Sequence, residues 1–448
     1  MDNGVRLPIE RVKWITLMTM TIVIFVVDAS TLGQTKESII LESIQEKYDP
    51  KDLSAKKVSY EGDYVLRIHK YNMSVQELME RYDEDGSLSI WSIGRSTADI
   101  FVRSYMFNDI RSILIRHRIN FIILIDDVQE AIANENTPLT MLAQEELEGR
   151  KGHRMEWTSY HQLNDILGYL DYLADTYPDV CSVQTIGRSI EGRELKLLRI
   201  SNGKPNAPAI WIDGGIHARE WISPAVVTYI IDQLVENSEN LDVDYYILPV
   251  ANPDGYEYTF VHDRLWRKNR RRGTICSGVD LNRNFGYHWG GKGTSRNMCH
   301  ETYAGTKAFS EPESDAIRNF FEASLANFKA YLSFHSYGQY ILYPWGYDNR
   351  LPVDYADLDR VGRQMAAAME NATNDDILYT VGNSASTLYP AAGGSDDWAK
   401  AFVKVKYAYT IELRDTTSFI LPARYIIPTS KEAYAAVNVI TEICKTAS

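Results

Sequence analysis

The 448-residue chain predicts an α/β fold, a mixed, largely parallel central sheet with helices on both faces, preceded by a small α+β module. Three observations predict it. Beyond Met155, helical segments alternate with short apolar runs rich in Val, Ile, Tyr and Phe. Between Lys57 and Asp127, period-2 and period-3.6 patterns alternate over a shorter stretch. The composition, 45% hydrophobic and 24% charged, is globular and excludes a disordered or collagenous chain. A net charge of −13 without a long basic stripe argues against a nucleic-acid partner.

Taken in order, Arg6, Arg11 and Lys13 precede an uncharged, mostly apolar run from Trp14 to Val27, and Val27-Asp28-Ala29 places small residues at the cleavage offsets. This is the pattern of a secretory signal peptide over residues 1–29. The run is shorter than the roughly 20 residues that cross a bilayer, so the reading is a secreted, extracellular protein with no membrane partner. Residues 30–150 form the next unit. Within it the pieces VSYEGDYVLRIHK, SVQELMERYDED, SLSIWSIGRSTADIFVRS, FNDIRSILIRHR and INFIILIDD read as strand, helix, strand, helix, strand. Residues 128–154 then turn polar and acidic and end in Arg150, Lys151 and Arg154, a linker that a trypsin-like protease can cut.

In the unit spanning 151–448, PAIWIDGG (208–215), YYILPVANPDG (245–255), KAYLSFHSYG (329–338) and KYAYTIELRD (406–415) read as central strands. Reactive residues cluster at or just past their C-terminal ends: His217, Arg219 and Glu220; Asn252 and Asp254; His335 and Ser336; Glu412, Arg414 and Asp415. Open α/β sheets build their sites there, so these residues should converge in one crevice. His217 and Glu220, at i and i+3, can approach one cation. His335 would be a third ligand, leaving the open position that catalytic zinc requires. An isolated His-x-x-Glu is commonly an accident; only its context gives it weight.

Of the four cysteines, Cys276 and Cys299 enclose a Gly- and Arg-rich loop and are the expected disulfide of an exported chain. Cys181 and Cys444 either pair or stay as buried thiols. Asn72-Met-Ser and Asn371-Ala-Thr fit the glycosylation acceptor pattern. GGKGTS (290–295) lacks the ending of a phosphate loop, and no Gly-x-Ser-x-Gly elbow supplies a serine nucleophile.

The strings GGIHAREWIS, NPDGYEYT, RLWRKNR, VDLNRNF, FHSYGQ, YPAAGGSDDW and TIELRDT resemble the zinc metallocarboxypeptidases of the pancreatic A/B type in pro-enzyme form, over about residues 57–448. The resemblance implies one Zn²⁺ per chain on His217, Glu220 and His335, with Glu412 as general base and Arg267 stabilising the oxyanion. It implies a C-terminal carboxylate clamp of Asn282 and Arg283, and substrate contacts from Arg219, Tyr337 and the mobile Tyr389. Asp280 would orient a zinc-bound histidine. The base of the specificity pocket falls on Asp396, where A-type enzymes carry an apolar residue; a carboxylate there favours peptides or proteins ending in Lys or Arg, the B-type preference.

Competing readings are an A-type enzyme with apolar preference, or a catalytically silent secreted binding protein on the same fold. For single residues they are a surface turn made by Asp396 and Asp397, and an ion pair between Glu412 and Arg414. Arg264, Lys268, Arg270, Arg271 and Arg272 read as solvated charges. The segment before residue 150 would be an inhibitory, folding-assisting pro-domain of ferredoxin-like type, released by cleavage near Arg150 or Arg154. A monomer is expected. Between Trp398 and Glu412 the chain is one residue longer than the family pattern.

Overall fold

The computed structural model describes residues 57–446 apart from 70–72, 95, 137–144, 148–151 and 415–417. The expected signal peptide, Asn72, Arg150, Lys151 and Asp415 lie outside the described residues. These residues belong to one compact unit, Ala55–Ser448. Among them, no helix is long and apolar enough to cross a membrane.

The first layer is a βαββαβ module. Strands β1 (Tyr64–His69), β2 (Ser89–Ile93), β3 (Thr97–Val102) and β4 (Phe121–Ile125) form an antiparallel sheet in the order β2-β3-β1-β4. Helices α1 (Met73–Glu84) and α2 (Phe107–Arg116) connect them. Leu66, Ile68, Met79, Ile100, Ile110 and Leu114 close the module's own core. Two expectations need correction here. SLSIWSIGRSTADIFVRS is not one strand but a hairpin, because Gly94 turns the chain and donates to Thr97 O at 2.8 Å. The supposed linker begins with a helix, α3 (Val128–Glu135), capped by Asp127, whose Oδ1 accepts from Glu130 N at 3.1 Å.

The second layer is an eight-stranded sheet in the order β11-β10-β12-β9-β7-β8-β6-β5. Its strands are β5 (Cys181–Arg188), β6 (Glu194–Ile200), β7 (Pro208–Asp213), β8 (Asp244–Leu248), β9 (Asn327–Ser336), β10 (Tyr340–Tyr343), β11 (Thr380–Asn383) and β12 (Tyr407–Leu413). The four predicted strands are its centre, and they run parallel: β12 on β9, β9 on β7, β7 on β8. Helices on both faces explain their near-continuous apolarity. Ile210 and Ile212 point to the face covered by α4 (Leu163–Thr176), α5 (Ile222–Glu236), α8 (Tyr355–Glu370) and α9 (Ile426–Thr446). Trp211, between them, packs on the other face with Ile317 and Phe321 of α7 (Pro312–Ala323). A further helix, α6 (Pro253–Val261), follows β8.

Between Trp398 and β12 the chain makes a π-helical turn, Ala399–Val403, ended by Lys404 in the left-handed region (φ 67°). The ladder beyond is undisturbed, with Glu412 paired in register to His335. Cys276 and Cys299 form the disulfide, whereas Cys181 and Cys444 are free and buried.

Candidate functional site

His217 and Glu220 sit in the turn between β7 and α5. Gly215 (φ 63°) makes that turn, and a Cβ there would lie 2.9 Å from Pro224 Cγ. His335 ends β9. All three are buried, and one donor atom from each lies within 4.8 Å of the others. Nδ1 of His217 is 2.8 Å from Glu220 Oε1, Nδ1 of His335 is 3.2 Å from Glu220 Oε2, and the two Nδ1 atoms are 3.2 Å apart. Two imidazoles and a carboxylate thus aim at one point away from water, a donor set suited to zinc. Asp280 Oδ1 meets the other nitrogen of His217, Nε2, at 3.1 Å, and Ser333 Oγ meets His335 Nε2 at 3.1 Å. Burial lowers the pKa of His217; for His335 burial is outweighed by Glu220 and Glu412, which hold it up at about 9.

Of the ligand, catalytic and substrate residues that the resemblance implies, all but Arg219 and Asp280 line one cavity of about 100 Å³, whereas Asn252, Asp254 and Arg414, expected in the same crevice, do not. Glu412 does not pair with Arg414, which instead binds Asp375 (2.9 Å) and Glu432. Burial is the main cause that raises Glu412 to about 7. Arg267 donates from Nη2 to Asp280 Oδ2 at 2.9 Å. Asn282 Oδ1 accepts from Ser395 N at 2.9 Å, which leaves its amide NH₂ for the cavity. Arg283 is buried and donates to the backbone oxygens of Gly293 (3.0 Å) and Asn282 (2.9 Å); it has no ion pair among the described residues. Gly393 (φ 78°) brings the loop before Asp396 against Arg283, since a Cβ there would lie 2.4 Å from Arg283 O.

Asp396 and Asp397 are both buried, not a surface pair. They have different partners. Asp397 accepts from Gly346 N (2.8 Å) and Tyr347 N (2.9 Å), while Asp396 faces the cavity and has no cationic partner among the described residues. Burial raises both carboxyl groups, and for Asp397 repulsion from Asp396 adds to it.

Other residues fall outside the cavity. Arg219 lies behind Phe419, its guanidinium 4.2 Å from the ring centroid and 3.2 Å from Glu301. Asn252 caps α6 and Asp254 receives Ser189 at 2.6 Å, so both hold loops in place. Arg264 and Lys268 are not solvated. Arg264 is 1% exposed against Glu135, and Lys268 donates to Met298 O at 2.8 Å. Arg270 lies 3.5 Å from the Tyr258 ring centroid and Arg271 binds Glu311, so only Arg272 is exposed as expected.

The first module closes the cavity. Trp91, Ser92 and Ile93 of β2 line it, Trp91 packs 5.2 Å from Phe419, and Tyr337 donates its hydroxyl to Asp99 Oδ2 at 2.9 Å. The buried Glu135–Arg264 pair and an Asp83–His300 contact at 3.2 Å add further ties. Sequence reasoning missed Glu135, Asp99 and Trp91; Trp91, the one aromatic residue of the short strand SIWSI, was the available signal.

Comparison with known proteins agrees with this layout. A family described as "Zinc carboxypeptidase" matches residues 166–436, and "Carboxypeptidase activation peptide" matches 71–135. Carboxypeptidase B of Astacus astacus is 48% identical over 301 residues, covering 65% of this chain and 99% of that protein. Carboxypeptidase B of Rattus norvegicus is 36% identical over 400 residues, covering 85% and 93%. The crystal structure of carboxypeptidase A from Helicoverpa armigera, at 30% identity, covers 88% of this chain and 100% of its own with a TM-score of 0.78. The chain therefore belongs to the zinc carboxypeptidase family and is a metallocarboxypeptidase zymogen whose activation peptide lines the cavity with Trp91, Ser92 and Ile93.

Proposed function

We propose that the chain is secreted and, once cleaved near Arg150 or Arg154 by a trypsin-like protease, releases C-terminal Lys or Arg from peptides and proteins. One observation carries this reading. A buried guanidinium, Arg283, and a buried carboxylate, Asp396, neither in an ion pair among the described residues, line the same cavity. A residue with a free α-carboxylate and a basic side chain satisfies both, whereas an apolar residue leaves Asp396 unpaired.

His217, Glu220 and His335 would hold one Zn²⁺. When bound, it would polarise the scissile carbonyl and acidify a water. Arg283 and the amide of Asn282 grip the terminal carboxylate, and the arginine fork suits two parallel charged hydrogen bonds. Tyr389, 36% exposed at the mouth, closes over the bound terminus. Tyr337 becomes available to substrate once Asp99 leaves, and Arg219 adds positive charge from behind Phe419. Glu412 takes the proton from the attacking water and returns it to the departing amine. Arg267, fixed by Asp280, donates to the oxygen that gains charge.

The test is trypsin activation followed by metal analysis and peptide digestion. About one zinc per chain and chelator-sensitive release of Lys or Arg is the expected result. Release of Leu or Phe instead would favour the A-type reading, and no release despite bound zinc the silent binding protein.

A further inference from the structure

We propose that Asp213, acting through the Ser333 hydroxyl, is a positioning residue that sets the tautomer of His335 and thereby the affinity of the chain for zinc. The proposal rests on the assignment of His217, Glu220 and His335 as ligands. Strands β7 and β9 are neighbours in register, with Asp213 opposite Ser333. Ser333 and His335, two apart on β9, share a face. Ser333 Oγ donates to Asp213 Oδ1 at 2.6 Å and lies 3.1 Å from His335 Nε2. Asp213 Oδ2 accepts from Trp211 Nε1 at 2.6 Å. Asp213, Ser333 and His335 are all at most 1% exposed, so water does not compete.

The proton count follows from this arrangement. A serine hydroxyl has one proton; burial raises the Asp213 carboxyl, but its two oxygens face two donors, the Ser333 hydroxyl and the Trp211 N–H, both at 2.6 Å, so it serves as acceptor on both sides. The Ser333 proton therefore points at Asp213, and the oxygen offers a lone pair to His335. In the neutral ring, the form that can ligate a metal, Nε2 must then carry the hydrogen, which leaves the lone pair on Nδ1, the atom 3.2 Å from Glu220 Oε2. Asp280 does this for His217 directly; Asp213 does it for His335 at one remove.

Asp213→Asn keeps the shape and inverts the logic. Trp211 N–H needs an acceptor, so the amide oxygen faces it and the NH₂ faces Ser333. Ser333 then accepts from Asn and donates to Nε2, and the proton of His335 moves to Nδ1. The experiment uses the full chain, with zinc Kd from competition against a chromophoric chelator and the His335 tautomer from ¹⁵N NMR under chelation at about pH 10, where the ring, held up at about 9 without metal, is neutral.

Asp213→Asn and Ser333→Ala should each weaken zinc binding about 10- to 100-fold, and the double variant should be no weaker than the worse single. Asp213→Asn should also move the proton from Nε2 to Nδ1, which a purely structural role would not do. Ser333→Thr, which keeps the hydroxyl, should stay near the wild-type Kd. Wild-type protein that binds no zinc would sink the ligand assignment itself. Wild-type binding with variants inside twofold and Nε2–H retained would overturn the relay alone.

Discussion

Asp396→Asn tests the specificity pocket with almost no change of shape. Asp396 is 6% exposed on the turn Ser395–Trp398 and lines the cavity with Thr410 and Glu412. A guanidinium guest there pairs with a carboxylate shielded from water. Removing one partner of such a pair costs about 3–5 kcal/mol. With each 1.4 kcal/mol worth a factor of about ten, kcat/KM for a C-terminal Arg should fall about 10²- to 4 × 10³-fold. A C-terminal Leu meets no lost partner and should change by less than about tenfold. The assay compares two blocked dipeptides, ending in Arg and in Leu, on the trypsin-activated protein. Asp397→Asn is the internal control. Its two backbone bonds to Gly346 and Tyr347 are structural, so it should lower thermal stability by about 1–3 kcal/mol and leave the Arg-to-Leu ratio alone. An unchanged ratio in Asp396→Asn, or a ratio that moves with Asp397→Asn, would refute the reasoning.

Two further predictions concern the pro-domain and pH. Glu135→Gln leaves Arg264 buried without its anion, at a cost of about 3–5 kcal/mol to the closed form. The cleaved pro-domain should then dissociate faster, seen as a shorter lag before full activity, with the unfolding of the isolated catalytic part unchanged. His161 lies 3.4 Å from Glu156 Oε1 and 3.8 Å from Asp165 Oδ2. Burial opposes its charge, but Asp165 and Glu156 outweigh that and hold it up at about 9. Because the folded pKa is raised, this stabilisation is complete below about pH 6.5 and is lost as pH rises through about 9; it amounts to at most about 3 kcal/mol. Thermal midpoints from pH 6 to 10 should converge on those of His161→Gln at the alkaline end, and parallel curves would contradict the assignment.

The strand ends were legible because each central strand is a short apolar run closed by a breaker, and a parallel sheet must present its C-terminal ends on one side. His217 and Glu220 were legible for a local reason as well, three residues in one turn. The module's hairpin was not, because strand-forming residues lie on both sides of Gly94 and only the ladder reveals where pairing reverses. Glu135 and Arg264 misled in the same way. Each alone reads as a solvated charge, since burying one ion is costly, and the two become compatible with burial only when folding brings them together across 129 residues.

By itself the sequence determined the composition of the site: which metal-ligating, basic and acidic side chains exist, and which strand end each occupies. The tertiary structure decided their state. Asp396 became a pocket wall and Asp397 a backbone anchor, Ser333 and Asp213 met across β7 and β9, and the first module came to rest over the cavity. The physical reason is range. Spacing along a chain specifies which atoms can meet within a turn or a strand, whereas hydration, pairing and access depend on neighbours contributed from anywhere in the fold.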